Sequence, residues 1–350
     1  MSFIKRFLRY ISATGLSFSL FFLATALVLT LTLLSPTFIK RTLLKTNTYT
    51  NIVPASLELA ASSSSQQNNA EISPAVFAQL KPVVADAVPA SFVQQTTETV
   101  IDGTFGWLQG KTTIPQITVQ TATVKSNLQQ SLSAYIHKRL SSLEVCQKGT
   151  NYDNFDPLAT PCRPPVALQD SEIQKYTADL IAQLPFLNKP EISLESLELT
   201  KIFASGSPTQ KAPFVYSIAA KLPYILGLLA VICAAALVFL SAQKMQSIRT
   251  VAHTFAWAGG ILILFSALTL FFNGRTSNQL FGSSTQAQAT FVKTIFSPII
   301  SEFTKTAADY TLYLGIAYCF IGAILYVIAR RKHENRQIDE ASTKNADREG

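Results

Sequence analysis

The chain has few residues whose types could do chemistry, and their spacing keeps them apart. Histidine occurs three times, at His137, His253 and His333. A metal centre or a nucleophile–base–acid triad needs its members converging on one point. His137 sits between Ile136 and Lys138 on the polar side of an amphipathic stretch, His253 begins a long apolar run, and His333 belongs to a basic tail. The three therefore fall in different compartments or depths and form neither kind of site. Glu98 and Asp102 are four apart, which puts both carboxylates on one helix face, the spacing a paired acid–base site would need. Two solvated acids are the simpler reading, because no spacing ties them to a nucleophile or metal. Asp153-Asn154-Phe155-Asp156 lacks the glycine and closing glutamate of a calcium loop. GxSxG, HExxH, the P-loop and the glycine-rich dinucleotide turn are all missing. Together these absences predict no catalytic site, no cofactor and no metal centre.

Of the four cysteines, Cys146 and Cys162 enclose a polar, turn-rich stretch from Gln147 to Pro157. Such a stretch cannot hold itself with an apolar core, and a disulfide would fix it. Two unrelated free thiols are the competing reading. Zinc is disfavoured because no CxxC or nearby histidine pair supplies further ligands. Cys233 and Cys319 lie in apolar runs, where small residues serve packing.

The elements that carry these residues follow from hydropathy. Charged residues are 14% of the 350, well below the roughly one quarter of soluble chains. Apolar residues concentrate in four blocks, 11–34, 222–242, 251–272 and 310–329, each about the 20 residues a helix needs to cross hydrocarbon and none keeping a polar face. Block one also resembles a secretory signal: Lys5, Arg6 and Arg9 precede it and Ala24-Thr25-Ala26 offers a small-x-small site. Cleavage there would leave Leu27 to Leu34 as an apolar terminus, so a retained anchor helix is expected.

Basic residues orient the four spans. Lys5, Arg6 and Arg9 lie in the stub 1–10, Lys244 and Arg249 in the short connection 243–250, and Arg330, Arg331, Lys332 and Arg336 open the tail 330–350. By the positive-inside rule these segments face the cytoplasm, although Lys40, Arg41 and Lys45 beyond block one weaken the bias. Both termini are then cytoplasmic, and 35–221 and 273–309 lie outside the cell membrane. The three inner segments carry eleven basic and five acidic residues, +6 of the net +8. Contact with anionic membrane lipids explains that charge better than nucleic acid does.

The long segment reads as a folded, mainly helical domain. Pro74 follows Ser73 as first helical residue after a cap, and Val76, Phe77, Leu80, Val83, Val84 and Val88 then share a face until Pro89. From Ala90, Phe92, Val93, Thr96, Val100, Ile101, Phe105 and Leu108 repeat the pattern until Gly110. A third helix, 122–143, groups Leu128, Leu132, Tyr135, Ile136, Leu140 and Leu143, and a fourth, 170–184, is capped by Asp170 and buries Ile173, Tyr176, Leu180 and Ile181. Ile117 to Gln120, Ile192 to Leu194 and Leu197 to Leu199 alternate like short strands and suggest a small β element. Ala61 to Ala70 reads as a flexible loop, Asn273-Gly274 as the end of the third span, 289–308 as a surface helix, and the charged tail as disordered. Helix one is expected to continue outward past Pro36.

The fold class expected is an α-helical integral membrane protein with four transmembrane helices and a mainly helical extracytoplasmic domain inserted between helices 1 and 2. Its spans hold no Asp, Glu, Lys or Arg, which argues against a pump. Gly227, Ala230 and Ala234, and Gly315, Cys319 and Ala323, form small-residue faces for helix packing, leaving homo-oligomerisation open. Phe105, Trp107 and Leu108, crowded by Gly103, Gly106 and Gly110, are the candidate interface for an unidentified protein or cell-envelope partner. The function expected is a non-enzymatic interaction or scaffold protein. A sensory or transport-accessory subunit working with a separate cytoplasmic partner is the alternative. The orientation can be checked directly. In intact cells a membrane-impermeant thiol reagent should label cysteines introduced at Ser64 and Ser284 and spare one at Ser342; the opposite pattern would invert the topology.

Overall fold

The computed structural model describes residues 2–64, 74–147, 155–158, 160–166, 168–182, 187, 189–193, 203, 208–239, 244–279 and 286–349. Their element order is α1 (Ser2–Leu31), α2 (Pro36–Lys45), α3 (Thr48–Ser64), α4 (Pro74–Ala87), α5 (Ala90–Leu108), β1 (Thr118–Gln120), α6 (Ala122–Ser142), α7 (Asp170–Ala182), β2 (Glu191–Ser193), a 3-10 turn (Pro208–Lys211), α8 (Ala212–Phe239), α9 (Lys244–Gln279) and α10 (Gln286–Glu349). Four helical stretches are long and apolar enough to cross a membrane: Tyr10–Leu31, Thr209–Phe239, Ser247–Phe272 and Thr290–Lys332. The chain is accordingly a helical protein of membrane-spanning composition, and it divides into two compact units, Met1–Ile39 with Phe214–Leu280 and Ile300–Gly350, and Lys40–Pro213 with Phe281–Ile299.

In the first unit the spans converge on a single core. Leu16, Leu20 and Ala24 of α1 meet Ala230 and Leu237 of α8, Val251, Ala258 and Leu262 of α9, and Tyr318 of α10. Lipid tails are as apolar as leucine, so burial alone gives such helices little reason to associate; close packing and interhelical hydrogen bonds must do it. Both are present. The Tyr318 hydroxyl donates to the Leu20 carbonyl at 3.3 Å and the Ser266 hydroxyl to the Ala308 carbonyl at 2.8 Å. Glycines bring α9 and α10 together. A Cβ on Gly259 would lie 2.6 Å from the Gly315 carbonyl oxygen, and one on Gly322 2.8 Å from that of Ala252. Ala230 and Gly315 thus spend their small size inside this unit. Thr14, Thr25, Thr30, Thr254, Thr269 and Thr311 return their hydroxyls to carbonyls four residues back, so these polar groups are satisfied within their own helices. Outward faces carry Phe22, Leu228, Trp257 and Phe320, the apolar surface that a span presents to lipid.

The second unit is held by α4, α6 and α7. Val83, Leu132, Ile136, Leu140, Leu158 and Ile173 form its core. The sequence periodicity is correct for α6 and α7, where the i, i+4 residues Leu132, Ile136 and Leu140 and the opposing Ile173 and Ile181 are buried. Helix α5 ends as Gly110 demands. That residue has φ +73°, its N–H reaches the Trp107 carbonyl at 2.8 Å, and Lys111 N–H reaches the Gly106 carbonyl at 3.0 Å, which together form a Schellman cap. Strands β1 and β2 pair antiparallel, with Val119 opposite Ile192.

Several expectations are corrected. Helix one does not run on past Pro36: it stops at Leu31, and α2 restarts with Ser35 Oγ accepting the Phe38 N–H at 3.3 Å. Helix α3 carries the chain through Ser64, so the first four residues of the loop expected from Ala61 to Ala70 are helical; residues 65–70 lie outside the described residues, as do Leu197–Leu199. Asn273-Gly274 does not break helix α9, which runs on to Gln279, although the apolar span stops at Phe272. An interior glycine costs about 1 kcal/mol against alanine, too little to stop a helix already propagating from Lys244. The tail is helical to Glu349 for the same reason: between Arg330 and Glu349 it has neither proline nor glycine, and the span ahead of it supplies the nucleus. Val100 is exposed, not buried.

The glycine contact yields a paired test. Gly259→Ala should lower the thermal midpoint of the purified protein, since overpacking typically costs about 1–3 kcal/mol. A methyl group on the neighbouring Gly260 would meet nothing within 4 Å, so Gly260→Ala should be neutral or stabilising. Equal midpoints for the two variants, followed by fluorescence melting in detergent, would contradict the close α9–α10 approach.

Candidate functional site

The carboxylate pair is the first candidate, and its geometry is that of a tie between helices. Asp102 and Glu98 project from α5 toward α2, where Lys40 Nζ lies 2.7 Å from Asp102 Oδ2 and 4.0 Å from Glu98 Oε2. Glu98 also accepts from Gln94 Nε2 at 2.8 Å. One ammonium thus answers both acids, across 62 residues of sequence. Beside them Tyr49 is only 4% exposed and its hydroxyl has no hydrogen-bond partner among the described residues; burial, then the Glu98 charge, raises its pKa above the ordinary phenolic value. Neither Lys40 nor Tyr49 is signalled by local sequence, because the contact depends on how α2, α3 and α5 assemble.

The second candidate surrounds the cysteines. Cys146 and Cys162 form a disulfide, with Cα atoms 5.0 Å apart. On either side of it the backbone makes a short parallel bridge: Cys146 N–H donates to the Arg163 carbonyl at 2.9 Å and Arg163 N–H to the Glu144 carbonyl at 2.8 Å. The enclosed chain is pinned further by Arg139, whose Nη2 donates to the Thr160 carbonyl at 3.1 Å. Asp156 accepts the Leu158 N–H at 2.9 Å and the Tyr176 hydroxyl at 2.7 Å. Burial, then the bond to Asp156 and its charge, pushes the Tyr176 pKa well up, so this phenol stays a donor through the neutral range. These ties seat Leu158 in the core of the unit. Asp153 and Asn154 lie outside the described residues.

His137 is exposed, as its place on α6 implied, and Nε2 lies 3.3 Å from Asp170 Oδ1. His253 is in the other unit, edge-on to Tyr326. Among the described residues no group of three or more histidines, cysteines or acids is placed to hold a metal ion. The expected interface trio is largely internal. Phe105 and Trp107 are 9% and 7% exposed, Leu108 is half-buried, and the Trp107 ring meets Phe203 edge-to-face at 5.1 Å. Gly103 serves close approach by this chain itself: a Cβ there would collide with the Gln116 carbonyl.

Comparison with known proteins adds no relative. No protein-family model, curated protein or solved structure matches this chain.

The disulfide makes its own prediction. Under alkylation from the moment of lysis, mass spectrometry should find Cys146 and Cys162 joined. Cys162→Ser should raise amide exchange in residues 155–163 far more than in α4 or α5, because closing a loop of this length is worth about 3 kcal/mol in the chain-entropy model. Both thiols found free in unreduced protein would refute it.

Proposed function

We propose that this chain is a non-enzymatic envelope protein. Its four spans sit in the cell membrane with both termini cytoplasmic, and the unit built on residues 40–213 is an extracytoplasmic binding domain inserted between spans one and two. The basic stub, inner connection and tail support the orientation. The disulfide supports an oxidising compartment for that unit. Residues 281–299, from the connection between the third and fourth spans, cluster with 40–213 in one compact body, as two segments on the same side of a membrane would.

The observation that carries binding over catalysis is a pair of exposed apolar side chains next to the disulfide bridge in sequence, Val145 on the bonded bridge itself. Val145 and Val166 are 49% and 78% exposed and flank the disulfide bridge. Exposed apolar side chains on pre-ordered backbone lose little entropy when a partner covers them. The acids that could have done chemistry are engaged instead in the Lys40 tie.

Photo-crosslinking in native membranes tests this. A photoreactive residue at Val166 should yield a discrete protein adduct, and one at Phe320, on the outer face of α10, should yield lipid adducts only. Lipid adducts alone at Val166 and at the exposed Leu44 would overturn the binding reading.

A further inference from the structure

A cavity of about 240 Å³ opens where the last turns of α6, the disulfide bridge and the start of α7 meet. Leu140, Val145, Leu168 and Ile173 supply its apolar wall, and Arg163 and His137 its polar one. The wall is fixed, because Leu140 and Ile173 belong to the core of the unit. The backbone of Arg163 is fixed as well. Its N–H and its carbonyl are both bonded across the bridge, and the preceding residue is the disulfide-bonded Cys162. The backbone that carries the guanidinium is therefore held in place, and the exposed side chain is free to turn toward a ligand.

The charges at this mouth are unequal. His137 has Asp170 as partner at 3.3 Å, whereas the exposed Arg163 has no carboxylate partner among the described residues. A guanidinium offers a planar fork that matches the two oxygens of a carboxylate. An apolar wall beside it asks for a ligand with a hydrocarbon body. The nearby Asp170 disfavours a ligand of higher negative charge, which would meet like charge. The volume lies just below the range for drug-sized ligands, about 300–1,000 Å³, and suits a single side chain with its carboxylate.

We propose that this cavity is a binding site for a monocarboxylate on a short apolar body, either a free small acid or the C-terminal residue of a peptide, with Arg163 holding the carboxylate. The assignment rests on reading this unit as a binding domain, and it narrows that reading to a ligand class.

The test uses full-length protein in lipid nanodiscs and ligand-observed NMR. The probes are benzoate against benzamide, and a tetrapeptide ending in a free leucine against its C-terminal amide. The acids should bind saturably and the amides at least tenfold more weakly. Binding of the peptide acid alone assigns a chain end as the source, and binding of benzoate alone assigns a free acid. Arg163→Gln should weaken acid binding roughly ten- to a hundredfold, the loss expected for a charge-assisted hydrogen bond. Val145→Glu, at an exposed position that brings a like charge to the mouth, should abolish acid binding without unfolding and covers the case of a poorly folded Arg163 variant. Equal binding of acids and amides, or acid binding by Val145→Glu at the wild-type level, overturns the site. If the acids fail while the Val166 protein adduct persists, the cavity assignment falls and the binding-domain reading stands.

Discussion

Inside hydrocarbon a peptide group has no water to bond, and every other feature of the membrane unit follows from that constraint. Each spanning segment must satisfy its own N–H and C=O groups, which selects helix whatever the residue propensities. Side-chain hydroxyls obey the same constraint: threonines from Thr14 to Thr311 return theirs to their own helix. With the backbone satisfied internally, contacts between helices are left to shape. Gly259, Gly315 and Gly322 therefore carry weight out of proportion to their size, because at these points α9 and α10 meet backbone to backbone.

The second unit solves a different problem. Its core is modest, centred on α4, α6 and α7, and one of its buried residues, Leu158, comes from an otherwise polar segment. That leucine cannot stay seated by its own burial, worth about 1.5–3 kcal/mol, if the chain around it is free. The disulfide, the Arg139 bond to Thr160 and the Asp156–Tyr176 bond restrain the segment on both sides of it. The same clamp fixes the backbone of Arg163 and leaves Val145 and Val166 outside. Stability and recognition thus draw on one local device.

What can be read from sequence is what repeats with a period. The four apolar blocks, α5 from Ala90 to Leu108 and the buried face of α6 follow from hydrophobic spacing alone, and the Cys146–Cys162 pair from the polarity of what it encloses. Helix α3 is hidden because Pro54 sits inside it, and the end of α9 is misplaced when a glycine is given more breaking power than it has. The candidate sites are less legible. Lys40 meeting Asp102 and Arg163 meeting Glu144 are tertiary events with no local pattern. Phe105 and Trp107 look equally suited to a core or an interface, since a buried aromatic and a binding aromatic are the same residue until a fold turns them inward.

The bond from Tyr318 to the Leu20 carbonyl joins residues 298 apart in the chain. At about 5–20 residues per second, synthesis of the intervening chain takes on the order of tens of seconds. During that interval the first helix is already made, while the tyrosine that will cover its Leu16–Leu20 face does not yet exist. Until α8 and α9 are made the nascent helix is a solitary span with lipid against the side it will later turn inward. Its eventual core face therefore has to be as compatible with hydrocarbon as its outer one, and a charge placed there would be exposed to the bilayer long before any partner arrived to shield it.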